Sequence, residues 1–222
     1  MKLLRVFNRE LNKTAVEADK LPMEKYMKNN FKFYGVRSPV RKNVFKQVMK
    51  NYELPSAEEY KFVVLKMMQH PKREMNYCGI DLAIKCQKKY SNIIDLDYIS
   101  TLIVTRSWWD SVDSIAPNLL GNYLLNYPEM IPKFLKEYKA SSNIWLYRSC
   151  ILFQLKYKDK TDADLLFKIC THFKDSKEFF VQKAIGWALR EYAKTDTDAT
   201  YRFVDTTNLA PLSKKEACKH RK

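Results

Sequence analysis

Apolar residues recur along this chain at intervals of three and four with few interruptions, a spacing that predicts helix after helix joined by short turns. Only four glycines, Gly35, Gly79, Gly121 and Gly186, punctuate the pattern. About twelve helices of roughly 10 to 20 residues are expected, with boundaries good to about two residues. Their starts are marked in the sequence. Ser38 precedes Pro39 at a first helical position, and Pro55 closes the connection before Ser56, which forms a capping-box pattern with Glu59. Ser107 with Asp110, and Asp175 with Glu178, repeat that signature.

The helical pattern itself recurs. At an offset of 35 residues, the segments beginning at Ser107, Ser142 and Lys177 keep their apolar positions in step: Trp109 with Ile144 and Phe179, and Ile115 with Cys150 and Ile185. A fainter echo from Lys72 puts Tyr77 and Ile80 at matching places. A period near 35 is that of stacked helical pairs, which build solenoids with an extended concave face. An antiparallel bundle gives similar spacing and is the alternative. In the repeat register Asp113, Arg148 and Lys183 share one position of three successive repeats, so they are expected to line up across one face. Trp109 lies one turn before that row and Trp187 one turn after it.

In the helix after Ser107, the residues Trp108, Val112, Ile115 and Leu119 form the core stripe. Trp109 and Asp113, an i, i+4 pair, are displaced from that stripe by roughly a hundred degrees. Asp110 serves as the acid of the capping box, whereas Asp113 lies deeper in the helix and has no such role. An indole face and a carboxylate both present negative potential, so this pair suits a cation or a cation-like transition state. Pro117 cannot donate to the carbonyl of Asp113, four residues back, which predicts a kink or a missing hydrogen bond. The segment from Asn143 to Leu155 is apolar nearly all round, leaving Arg148 to meet either a carboxylate or an anion such as phosphate. Gly186 is expected to let another helix approach closely, beside a Trp187 flanked by Lys183 and Arg190.

Composition narrows the chemistry. With 222 residues, 46% of them hydrophobic, a sizeable core is available, and the chain is read as a single domain over 1–222. Forty Lys and Arg against 25 Asp and Glu give a net charge of +15, which points to a polyanionic partner such as nucleic acid. The N-terminal stretch is broken by Arg5, Arg9 and Glu10 and does not read as a secretory signal, and no apolar run is long enough for a membrane span. Cys78, Cys86, Cys150, Cys170 and Cys218 sit singly without CxxC spacing, as in a reduced, cytoplasmic protein. His70, His172 and His220 are scattered, and no glycine-rich phosphate loop is present, so neither a metal nor a nucleotide cofactor is expected.

The segments SWWDSVDSIAP, SSNIWLYRSCILFQLKYK and SKEFFVQKAIGWALREYAKT, with EKYMKNNFKFYGVRSPVRK and LAPLSKKEA, resemble the AlkD family of bacterial DNA alkylation repair proteins, from about residue 20 to 217. The resemblance implies an all-α, right-handed solenoid of HEAT-like antiparallel helix pairs whose concave basic face holds duplex DNA. It further implies a monofunctional glycosylase that removes N3- or N7-alkylated purines, and a solenoid that wraps a duplex is expected to work as a monomer. Matched to the family's motifs, Asp113 is the key carboxylate, Trp109 and Trp187 are the indoles beside the lesion's sugar, Arg148 meets a backbone phosphate, and Tyr26 touches DNA near the lesion. Lys183 and Arg190 join the DNA-binding set by position; a Schiff-base role for Lys183 is the lesser alternative. A non-catalytic DNA-binding repeat protein and a protein-binding scaffold are the competing readings.

Overall fold

A computed structural model describes residues 2–92 and 94–221. Among these residues the secondary structure is helical throughout, apart from one isolated bridge between Lys32 and Lys72. The fold is all-α, as expected. The fourteen α-helices among the described residues are shorter than the sequence suggested, running from six to 17 residues. The chain divides into two compact units, residues 1–98 and 99–222.

The first unit holds α1 (Lys2–Lys13), α2 (Glu17–Tyr26), α3 (Ser38–Asn51), α4 (Tyr60–Met68) and α5 (Arg73–Lys89), together with the start of α6 (Leu96–Val104). Helix α4 packs along α5, and α1 leans on α3, α4 and α5. Phe7, Leu11, Tyr60, Met67, Met68, Met75 and Cys78 are fully buried between them. The buried carboxylate of Glu74 accepts the backbone N–H groups of Tyr34, Gly35 and Val36 at 3.0, 2.9 and 3.0 Å, which fixes the segment after α2. Gly35 is required there. Its φ is +91°, and an added Cβ would lie 2.1 Å from the Val16 carbonyl oxygen.

The second unit holds α7 (Trp109–Ile115), α8 (Gly121–Asn126), α9 (Ile131–Ala140), α10 (Ile144–Leu152), α11 (Ala163–Phe173), α12 (Phe179–Tyr192), α13 (Thr197–Thr206) and α14 (Pro211–Ala217). Helix α10 packs against α7, α9, α11 and α12, while α12 lies along α14. The 35-residue register is present as a repeat of helix starts: α7, α10 and α12 begin at Trp109, Ile144 and Phe179, the three residues aligned by the sequence. Ile115, Cys150 and Ile185, the second aligned set, are all fully buried. Asp113, Arg148 and Lys183 are each the fifth residue of their helix.

Three local expectations are corrected. Helix α7 starts one residue later than a Ser107 cap would require; the Ser107 hydroxyl donates to the Val104 carbonyl instead. Trp108 takes the cap position, where its N–H donates to the Ser111 hydroxyl, so it is half-buried at the helix entrance and not a rung of the core stripe. Glu178 occupies the N-cap of α12 with no side-chain cap bond, and Asp175 pairs with Lys174. A short acidic side chain near a helix start has a neighbouring lysine as a competing partner, which the capping pattern ignores. The Ser56 pattern is half realised: the Glu59 carboxylate accepts the Ser56 N–H at 3.4 Å.

The Pro117 expectation holds in a specific form. Between α7 and α8 the chain runs through a π-helical turn, Ala116–Leu120, where the Gly121 N–H donates to the Ala116 carbonyl five residues back. Widening the turn accommodates a residue that cannot donate, without ending the helix. Gly186 also behaves as expected, because a Cβ there would lie 2.4 Å from Glu216 Cβ and 2.6 Å from the Ser213 carbonyl oxygen, both on α14. Cys78, Cys86, Cys150 and Cys170 are buried as free thiols, and burial pushes Cys78 and Cys170 up to about 12, so they pack as small apolar groups. No described helix is long and apolar enough to cross a membrane.

Candidate active site

Asp113 sits one turn into α7, just before the π turn, with Val112 and Ile115 fully buried beside it. Its own side chain is 17% exposed. Arg148, at the equivalent place on α10, reaches across and grips it in a fork: Nε to one carboxylate oxygen at 2.7 Å and Nη2 to the other at 2.9 Å. The third arm, Nη1, donates to the backbone carbonyl of Phe180 on α12. One guanidinium thus links all three register-related helices. Of the two partners left open by the sequence, a carboxylate and a phosphate, it is the carboxylate that Arg148 holds in this structure.

The electrostatics of Asp113 are a balance. Burial raises its pKa, the bonds and charge of Arg148 lower it, and the nearby Asp110 raises it; the net effect is a carboxyl above the ordinary aspartate value. A planar, bidentate pair is the strongest form of this interaction, yet removing both ions from water offsets much of the gain.

An aromatic cluster backs the pair. Trp108, at the start of α7, has its ring 5.5 Å from Trp145 of α10 and 5.3 Å from Phe180, while Trp145 and Phe180 are 5.1 Å apart. The Trp108 indole N–H is buried with no hydrogen-bond partner. The sequence reading assigned neither Trp145 nor Phe180 to the site. Trp145 was masked by its apolar surroundings, and Phe180 acts through its backbone carbonyl, which carries no side-chain signal.

Lys183 shares the register of Asp113 and Arg148 but is engaged elsewhere. Its amine lies 2.6 Å from one carboxylate oxygen of Glu216 on α14, and Arg190 lies 3.0 Å from the other. Arg190 also donates to the Glu216 backbone carbonyl. The hydrogen bond from Lys183, then that from Arg190, holds the Glu216 carboxyl below its ordinary value. One acid serves two bases, so this junction of α12 and α14 keeps a net positive charge. Trp109, the first residue of α7, and Trp187, directly after Gly186 on α12, are both half-buried. Tyr26 closes α2 in the first unit and is 71% exposed.

The structure therefore joins Asp113 directly to Arg148, joins Lys183 to Arg190 through Glu216, and leaves Trp109 and Trp187 partly open on α7 and α12, two of the helices that pack against α10. No group of three or more His, Cys, Asp or Glu side chains suited to a metal ion occurs among the described residues.

No curated protein matched the sequence. A solved structure, described as a predicted DNA alkylation repair enzyme from Enterococcus faecalis, is similar with a TM-score of 0.83 over 94% of this chain and 97% of that one, at 29% sequence identity. The family described as DNA alkylation repair enzyme matches residues 7–220, a span that takes in Asp113, Arg148 and every other residue of the candidate site. By that match the chain belongs to the family of DNA alkylation repair enzymes.

Proposed function

We propose that the protein is a monofunctional DNA glycosylase that hydrolyses the N-glycosidic bond of purines alkylated at N3 or N7, such as 3-methyladenine and 7-methylguanine, in duplex DNA. It acts as a monomer, in base excision repair. The carrying observation is the Asp113 carboxylate, one turn into α7 and 17% exposed, held by both arms of the Arg148 fork.

Alkylation at N3 or N7 makes the purine cationic, so the electron pair of the glycosidic bond passes to a base that leaves neutral. The sugar becomes oxocarbenium-like, water adds to its anomeric carbon, and a proton passes to solvent. Acid catalysis of departure is unnecessary. What the protein must supply is negative potential beside the sugar and a positioned water.

The magnitudes are modest. An isolated carboxylate about 4 Å from the sugar cation is worth about 4 kcal/mol at an effective dielectric near 20; a guanidinium about 4 Å behind it cancels roughly half. The remaining ~2 kcal/mol is about thirtyfold in rate. The indoles of Trp109 and Trp187 add about 0.5 to 2 kcal/mol each when desolvated against the cation. Such sums suffice for a bond already weakened by charge and not for an ordinary nucleotide, which gives selectivity without a tight base pocket. Arg148 spends three of its five N–H groups on Asp113 and Phe180 and its side chain is only 5% exposed, so the proposed phosphate contact requires the DNA backbone to approach the fork closely or the fork to open. Lys183, Arg190 and Tyr26 complete the DNA-binding set.

The neutralised state of Asp113 favours one rival, a DNA-binding repeat protein in which the Asp113–Arg148 pair is only structural. Release of 7-methylguanine or 3-methyladenine from methylated duplex separates the two. The proposed enzyme releases base, and Asp113→Asn slows release by about thirtyfold to a thousandfold with little change in DNA affinity. A wild type that binds DNA but releases no base establishes the rival.

A further inference from the structure

We propose that Phe179 is an aromatic DNA contact, whose ring stacks against the nucleic acid beside the nucleotide that loses its base. This rests on the DNA-acting reading above. At 57% exposure Phe179 is the most exposed large apolar side chain of the second unit. It is also well supported. Its ring stands edge-on to Phe180 with centroids 5.3 Å apart, and Phe180 is packed against Trp108 and Trp145 while its carbonyl holds Arg148. Phe179 is thus the outermost member of a four-ring cluster that is tied to Arg148 through the Phe180 backbone carbonyl.

Its place in the repeat points the same way. Phe179 opens α12 as Trp109 opens α7, two repeats earlier in the same register, with Ile144 between them. The surroundings favour nucleic acid over protein as the occupant. A protein partner needs a contiguous apolar patch, whereas Ser176, Lys177 and Glu178, the residues just before the ring, are polar and lie partly or fully in solvent. Lys177, two residues before, is exposed, as is Glu178 beside the ring, while Lys183, one turn after, is paired with Glu216. An exposed π face on a chain of net charge +15 suits nucleic acid, because base–aromatic stacking needs no particular base sequence.

The test is the affinity for duplex carrying a tetrahydrofuran abasic analogue, and for the undamaged duplex, measured by fluorescence anisotropy for wild type, Phe179→Ala, Phe179→Leu and Phe179→Trp. A stacking contact predicts that Ala and Leu weaken binding to the abasic duplex by about tenfold while Trp stays within about twofold of wild type. Thermal unfolding verifies that each variant is folded, and a destabilised Ala variant leaves the Leu and Trp comparison decisive. Unchanged affinity in Ala, or Leu binding as wild type does, overturns the proposal. The readout does not depend on base release. A wild type that binds the abasic duplex through Phe179 without releasing base overturns the glycosylase reading alone, whereas base release with Phe179→Ala affinity unchanged overturns this contact alone.

Discussion

At the scale of single residues, the defining feature is that the carboxylate proposed to face the sugar cation is also half of a buried ion pair. Asp113 must be ionised to face a sugar cation, and burial together with the charge of Asp110 lifts its pKa by more than Arg148 lowers it. Activity is therefore lost as pH falls through a value above that of an ordinary aspartate. The acid limb of kcat/KM, corrected for spontaneous depurination, should lie there, and a limb at or below the ordinary range would show that another group controls it. Arg148 can be tested from the other side. Arg148→Met leaves a buried carboxylate without its partner and should cost about 3 kcal/mol in urea unfolding, while the double variant with Asp113→Asn recovers much of that loss. Strictly additive effects would mean that the two groups do not depend on each other. Arg148→Met should also move the acid limb to higher pH, since the influence that lowers the Asp113 pKa is gone.

At the scale of elements, the candidate site draws on three helices in register, and a fourth, α14, packs along α12. The register was legible because apolar positions repeat with the helices: an offset of 35 residues brings Trp109, Ile144 and Phe179 onto three observed helix starts. Gly186 was legible for a similar reason, since a glycine in mid-helix needs a close neighbour to explain it. The α14 contacts of Lys183 were not legible. The register could place Lys183 in the row of Asp113, but its partner Glu216 lies on a helix outside the aligned repeats, and no local pattern predicts where such a helix lands. The caps failed for a related reason: whether Ser107 or Trp108 occupies the helix entrance depends on how the chain arrives from α6 and not on composition. The α12–α14 junction gives the element-scale prediction. Gly186→Ala places a methyl group 2.4 Å from Glu216 Cβ, so α14 must shift. Overpacking of this kind should destabilise by about 1 to 3 kcal/mol, seen as a lower Tm, and an unchanged Tm would show that the helices are not in close contact at that point.

At the scale of the whole molecule, charge and chemistry separate. A net charge of +15 is spread over the chain, whereas the proposed reaction depends on one carboxylate whose charge is already matched by Arg148. Binding to duplex DNA should then be driven mainly by counterion release. With about six phosphates neutralised, affinity falls roughly a thousandfold between 50 and 200 mM salt, a log–log slope near −5. Asp113→Asn should leave that slope as it is, because the substitution changes the local partner of Arg148 and not the distribution of Lys and Arg that meets the backbone. A scaffold that uses its positive charge only for solubility gives the opposite result, with negligible DNA affinity at physiological salt. Measuring the slope for wild type and Asp113→Asn on unmethylated duplex therefore tests the partner without involving the reaction. A steep slope shared by both proteins, with base release confined to the one that keeps Asp113, assigns affinity to the whole charged surface and catalysis to a single residue within it.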